Sequence, residues 1–228
     1  LAVGAILEPI YRADGDFVRL VDVLEVRQSH LADPVERVEL LREIALLQET
    51  RLHQASAAFD TCGRILGLQP EHEDNRASLR RLAQASARFD DLAALLRGAV
   101  EAVDAVELKI ALLLELGLTE EFQRGQDAAA REAYQQVLGL QPDNRAATGA
   151  LVDLYSRTAA WDDLVVLYLR QAEDTTEIEE KKTLLFKVCQ LLEDVLDDVP
   201  RAISTWRHVL EIENDNAQAF RALERFYT

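Results

Sequence analysis

Apolar residues along this chain fall three and four apart over long stretches and do not alternate in twos. Leu20 with Leu24, Leu41 with Ile44, Leu79 with Leu82, Leu92 with Leu96 and Leu151 with Leu154 all hold the spacing of a single buried stripe on a helix. No Asn-Gly or Asp-Gly turn stands between β-branched runs, so no hairpin of strands is indicated. The pattern predicts thirteen helices, near 2–13, 16–31, 34–52, 54–67, 73–87, 89–103, 105–118, 127–139, 145–158, 161–173, 177–196, 200–212 and 216–227. Pro34, Pro70, Pro142 and Pro200 sit at predicted helix starts or just past ends. Asp90, Asp91, Asp162 and Asp163 lie in first turns, where negative charge suits the helix dipole.

The same pattern recurs. ILGLQPE (65–71), VLGLQPD (137–143) and VLEIEND (209–215) are 72 residues apart, and so are FVRLVDVL from Phe17, FDDLAALL from Phe89 and WDDLVVLY from Trp161. Superposing the modules gives large apolar columns: Leu7, Leu79, Leu151 and Leu223; Ile10, Leu82, Leu154 and Phe226; Leu41, Leu113 and Leu185. Small columns accompany them, Ala45, Gly117 and Cys189 and then Ala58, Ala130 and Ala202, and predict close approach of helix backbones. The expected organisation is one array over 1–228, in modules 1–72, 73–144 and 145–216, with the first helix of a fourth at 217–228. Leu223 and Phe226 would there lack a covering helix, which marks the C-terminal end as a place for end-to-end self-association.

Ala130, Tyr134, Val137 and Pro142 carry the spacing of the second helix and terminating proline of a tetratricopeptide repeat, and the chain resembles that family over essentially its whole length. Ala58, Cys62, Ile65 and Pro70 match with cysteine in the aromatic place; Ala202, Trp206, Val209 and Asn214 match with asparagine for proline. The resemblance implies an all-α fold, a right-handed α-solenoid of antiparallel helix pairs, with a concave face lined by the first helix of each pair. The chain departs in length, since Ala45, Arg80, Gly117, Val152 and Cys189 lie 35, 37, 35 and 37 apart. Arg80 and Val152 also break the small-residue rule, and 117–127 and 192–200 are expected to lengthen a helix end or loop. Large multi-repeat bacterial proteins look similar, as do, more distantly, half-a-tetratricopeptide proteins of RNA processing.

Composition narrows the function. Forty-one acidic against 25 basic side chains give a net charge of −16, which disfavours nucleic acid and anionic membranes as partners. No apolar run approaches the roughly 20 residues that span a bilayer. Arginine outnumbers lysine, 21 to 4, a skew that hints at a bacterial source and so at a bacterial cytoplasm or periplasm. The start at Leu1 and the absence of methionine suggest a segment of a longer polypeptide. Cys62 and Cys189 form no metal-ligand or disulfide pattern, and His30, His53, His72 and His208 are scattered among repeats as expected surface or cap residues. No phosphate-binding loop or nucleophile elbow is present, so no enzyme and no cofactor is expected. Trp161 and Trp206 fall in columns held elsewhere by Phe89 and Tyr134 and are expected to pack in the core.

The expected function is a protein-interaction scaffold that takes a peptide, helix or partner protein along the concave face. A structural or self-assembling spacer of a bacterial envelope, motility or secretion complex is the alternative, and RNA binding of the half-repeat kind a third. The register places Arg42, Leu114 and Phe186 in equivalent groove positions, with Arg81, Asp153 and Arg225 as a second row. Family members that clamp acidic C-termini carry Lys, Asn and Arg at such positions. Here Ala5, Ala77, Gly149, Leu114 and Phe186 stand instead, so that clamp is not expected.

Overall fold

A computed structural model describes the backbone of residues 2–227 and the side chains of residues 6–227. Among the described residues there are thirteen α-helices, one π-turn and no strand. The helices are α1 (Ala2–Asp14), α2 (Phe17–Ser29), α3 (Pro34–Thr50), α4 (Ala55–Leu68), α5 (Glu73–Ser86), α6 (Phe89–Ala102) and α7 (Val106–Leu118). The π-turn Thr119–Gln123 follows, then α8 (Asp127–Leu140), α9 (Arg145–Arg157), α10 (Trp161–Asp174), α11 (Ile178–Asp194), α12 (Val199–Ile212) and α13 (Ala217–Tyr227). Every predicted helix is present, with bounds shifted by two residues or fewer. Contacts group the chain into two compact units, Leu1–Ala130 and Arg131–Thr228.

Within each unit helices pack on their sequence neighbours. In the first, contacts run successively from α1 through α7; in the second, from α9 through α13. Connections of a few residues force each helix to fold back on the one before it. The small columns are where this happens most tightly: Ala58, Ala130 and Ala202 are all fully buried. Gly63 adds a further close approach, since a Cβ there would meet Leu95 Cδ1 at 3.0 Å. The large columns fill the space between, as in the cluster of Leu20, Leu24, Val38, Leu41, Ile44 and Ile65 that joins α2, α3 and α4. Cys62 and Cys189 are buried free thiols, and burial pushes Cys62 up to about 11 and Cys189 higher still, so both are inert small core residues.

The loops repeat as faithfully as the helices. His72, Asn144 and Asn216, spaced one module apart, each accept a hydrogen bond from the backbone N–H three residues on and so cap α5, α9 and α13. Two left-handed positions also recur per module: Gly15, Ala87 and Ala159, and then His53, Gly125 and Asp197, with φ between 51° and 70°. After the first of these the next backbone N–H returns to the helix end, as Asp16 to Tyr11, Arg88 to Ala83 and Ala160 to Tyr155, the hydrogen bond of a Schellman cap. The repeat therefore preserves the backbone turn while the side chain changes.

One expectation is met and another needs correction. The long stretch 117–127 holds a π-turn continuing α7, which brings that element close to the 17 residues of α3 and α11; the added length sits in the third helix of each module. Ile10 is not a core residue: it is 47% exposed where Leu82 and Leu154 are 1% and 2%. For Leu82, α5 has both α4 and α6 as neighbours, whereas the packing of α1 is with α2. Trp206 is buried as expected, while Trp161 is half-buried.

An L-residue in the left-handed region costs about 1–2 kcal/mol that glycine avoids. Ala87→Gly and Ala159→Gly should each raise stability by about 1 kcal/mol, less glycine's extra entropy in the unfolded chain, read as a higher urea midpoint. Gly15→Val should lower it.

Candidate functional site

The odd-numbered helices, each the first of a pair, leave open hollows between them. One of about 740 Å³ lies between α5 and α7 in the first unit. In the second unit one of about 730 Å³ lies between α9 and α11, and one of about 1150 Å³ between α11 and α13. Small residues help keep them open: Ala77 lines the first and Gly149 the second, where a Cβ on Gly149 would meet nothing within 4 Å.

The α5–α7 hollow is built around a buried carboxylate. Glu115 of α7, whose side chain is 9% exposed, lies with Oε1 2.7 Å from Arg80 Nη1 and Oε2 3.3 Å from Arg76 Nε. Arg76 and Arg80 are four apart on α5 and so share a face. Arg76 Nη1 also donates to the Pro70 carbonyl at 2.6 Å. Arg76 Nε and Glu115 Oε1 have no aligned hydrogen bond, so proximity of charge rather than hydrogen-bond geometry joins the three. Arg80, the residue out of place in its small column, thus reaches across to neutralise an acid on the next odd helix. A second buried acid, Glu120 in the π-turn, is paired with Arg97 of α6 at 2.5 Å and with Arg124. Arg124 in turn contacts Asp90 at 2.6 Å, a hydrogen bond that holds its guanidinium above the ordinary arginine value.

The rim is tied down by pairs that recur two modules apart. Arg81 of α5 hydrogen-bonds Glu49 of α3, and Arg225 of α13 hydrogen-bonds Glu193 of α11. The Arg81 hydrogen bond pulls the Glu49 carboxyl below its ordinary range. Glu193 also accepts from Trp206 Nε1 at 2.5 Å, and Phe186 lies 5.6 Å from the Trp206 ring, centroid to centroid.

The six residues picked out by register divide accordingly. Arg81 and Leu114 line the α5–α7 hollow, Asp153 the α9–α11 hollow, and Phe186 and Arg225 the α11–α13 hollow. Arg42 lines none of the three; it sits on α3 with Nη1 2.9 Å from Glu39. Ala5 lies outside the described side chains. The sequence reading missed Glu115, Arg76 and Lys187, although Arg80 in a small-residue column was a signal for the first two. Lys187 stands between the α9–α11 and α11–α13 hollows, its Nζ 5.1 Å from the centre of the Tyr168 ring.

The lining charges differ between hollows. Arg76, Arg80 and Arg81 face Glu73 and Glu115 in the first, and Lys187, Arg221 and Arg225 face Glu193 and Asp194 in the third, so both are locally basic. The α9–α11 hollow reverses this, with Asp143, Asp153, Asp174 and Glu180 against Arg145 and Lys187. Among the described residues no group of His, Cys, Asp or Glu is arranged to hold a metal ion, and no helix is long and apolar enough to cross a membrane.

Removing one partner of a buried ion pair strands the other. Glu115→Ala should cost the first unit about 3–5 kcal/mol, and Glu115→Gln less, measured by urea unfolding. A carboxylate whose folded pKa lies below its ordinary value of 4.5 stabilises fully above that value and loses the contribution as pH falls through the lowered one. Glu49→Gln should therefore flatten the loss of stability that the parent shows as pH falls below the ordinary carboxylate range.

No family model and no curated protein matches the chain. Among solved structures it is similar to a tetratricopeptide repeat protein from Parabacteroides merdae, with 13% identity, 100% of this chain and 98% of that one covered, and a TM-score of 0.41. BtubC from P. vanneervenii aligns over 90% of this chain and 83% of its own, at 16% identity and a TM-score of 0.38. The C-terminal part of a TPR repeat-containing protein from Cytophaga hutchinsonii aligns over 95% and 98%, at 12% identity and a TM-score of 0.29. At these identities and scores the likenesses carry nothing about partner or activity.

Proposed function

We propose that the protein is an interaction scaffold that seats a segment of another protein against its odd-numbered helices. The observation that carries this reading is the adjacent pair of hollows along α9, α11 and α13, one lined mainly by acids and the next mainly by bases, with Lys187 at the border of both. A hollow of this size admits side chains, and a run of them suits an extended peptide or one helix face. Preformed ion pairs at the rim support the same reading, because Arg225 and Glu193 are already held in place and little further ordering is needed on binding.

The proposed occupant has a basic side chain at Asp153, an apolar one against Phe186 and an acid near Arg221. Apolar side chains provide the larger part of the affinity, and the charges set register and specificity. The first unit has a seat of its own, the α5–α7 hollow, for an apolar side chain against Leu114 and Leu118, the latter 51% exposed. Arg42 keeps its place in the proposal only as a flanking charge.

A peptide selected against the full chain from a displayed library provides the test. Its affinity should fall by about tenfold or more in Phe186→Asp and Asp153→Arg, since each loses a favourable contact and gains a repulsive one. Circular dichroism checks that each variant is folded. Peptides of random charge order that bind as well, or unchanged affinity in both variants, would overturn the assignment of this face.

A further inference from the structure

The α5–α7 and α9–α11 hollows stand one module apart in the sequence, yet the charge at their common position is reversed. In the first two modules that position is an acid held by an arginine of the preceding odd helix: Glu43 by Arg12 at 2.6 Å and Glu115 by Arg80 at 2.7 Å. In the third it is Lys187, and α9 offers Val152 and Asp153 where α5 has Arg80 and Arg81. An even-helix position changes with it. Leu24 and Leu96, both fully buried, give way to Tyr168, which lines the hollow at 9% exposure.

These changes together build a seat for a cation. Lys187 Nζ lies 5.1 Å from the centre of the Tyr168 ring, and its ammonium makes no ion pair among the described residues. Asp153, Asp174 and Glu180 line the same hollow. Burial, and then the Asp153 carboxylate, holds the Tyr168 phenol above its ordinary value, so that carboxylate stands near the ring. An aromatic face adds its own attraction for ammonium and guanidinium groups to that of the carboxylates. We propose that Lys187 is a tethered stand-in for the basic side chain of the occupant: it fills the Tyr168 seat in the free chain, and a partner's lysine or arginine displaces it on binding. The released ammonium has a place to go, since Lys187 also lines the α11–α13 hollow together with Glu193 and Asp194. Binding is then an exchange of one cation for another. Lys187 becomes a specificity-determining residue, because an apolar or acidic side chain gains nothing by displacing it. This deepens the scaffold reading and rests on it.

The probe is the peptide selected against the full chain, labelled and followed by fluorescence anisotropy. Lys187 is exposed, so Lys187→Met leaves the core untouched, and it should tighten binding by about threefold to tenfold. The gain should vanish when the basic residue of the peptide is replaced by alanine. It should vanish again in a Tyr168→Leu background, leucine being the residue at this position in the other two modules. By NMR, the ring should shift the Lys187 methylene protons upfield in the free chain, and that shift should be lost at saturation. A gain that persists without the Tyr168 ring overturns the proposal, because loss of a nearby positive charge then suffices. Binding weakened or unchanged by Lys187→Met overturns it too, as does an upfield shift that survives saturation. An empty selection, or a peptide indifferent to both Phe186→Asp and Asp153→Arg, instead overturns the scaffold reading and the exchange with it.

Discussion

Most helices among those described pack on both of their sequence neighbours, and the structure depends on those neighbours approaching closely. That approach is set at the alanine column. With Ala58, Ala130 and Ala202 at zero exposure, a larger side chain at any of them would push two backbones apart and open the Leu and Val columns on both sides. Cost would then spread to neighbouring helices within the unit, which pack on one another in succession. The left-handed turns serve the same end. They fix where each helix stops, and so fix which residue of the next helix arrives at the small column.

This division explains what could be read from the sequence. Burial of a stripe leaves a periodic trace, so the helices, the 72-residue period and the core identity of Cys62, Cys189 and Trp206 were all legible. The left-handed turns were not, because Ala87, Ala159, His53 and Asp197 carry none of the glycine signature that the geometry favours. Packing around these turns holds the conformation regardless of the side chain, and propensity is a weak prior against it. The π-turn was missed for a related reason: Glu120 looks like a solvated acid in sequence and becomes buried through a local change of helical winding.

Of the candidate site, the positions facing the hollows were legible in the register and their charge partners were not. Register is a property of the backbone: it set Leu114 and Phe186 in one row and Arg81 and Arg225 in another, and in the structure Arg81 and Leu114 line one hollow while Phe186 and Arg225 line a second. Charge partnership depends on side-chain identity as well as register, and it recurs only where both partners do, as in Arg81 with Glu49 and Arg225 with Glu193. Arg76 and Arg80 meet Glu115 some 35 to 39 residues away, while the module equivalents of Glu115 are Glu43 and Lys187, of opposite sign. One position of the repeat thus carries an arginine-paired acid in two modules and a lysine in the third without disturbing the fold.

That freedom is what a binding surface built on repeats requires. The columns that hold the helices together tolerate little change, whereas the odd-helix positions facing the hollows vary from Ala77 to Gly149 and from Leu114 to Phe186 with no loss of packing. Variation confined to one face, over a core that repeats, lets specificity change while stability is kept, because the two depend on different residues. The buried pair of Arg76 and Glu115 is the exception. It belongs to a hollow and to the packing of α5 on α7 at once, so it ties the geometry of that hollow to the stability of its unit.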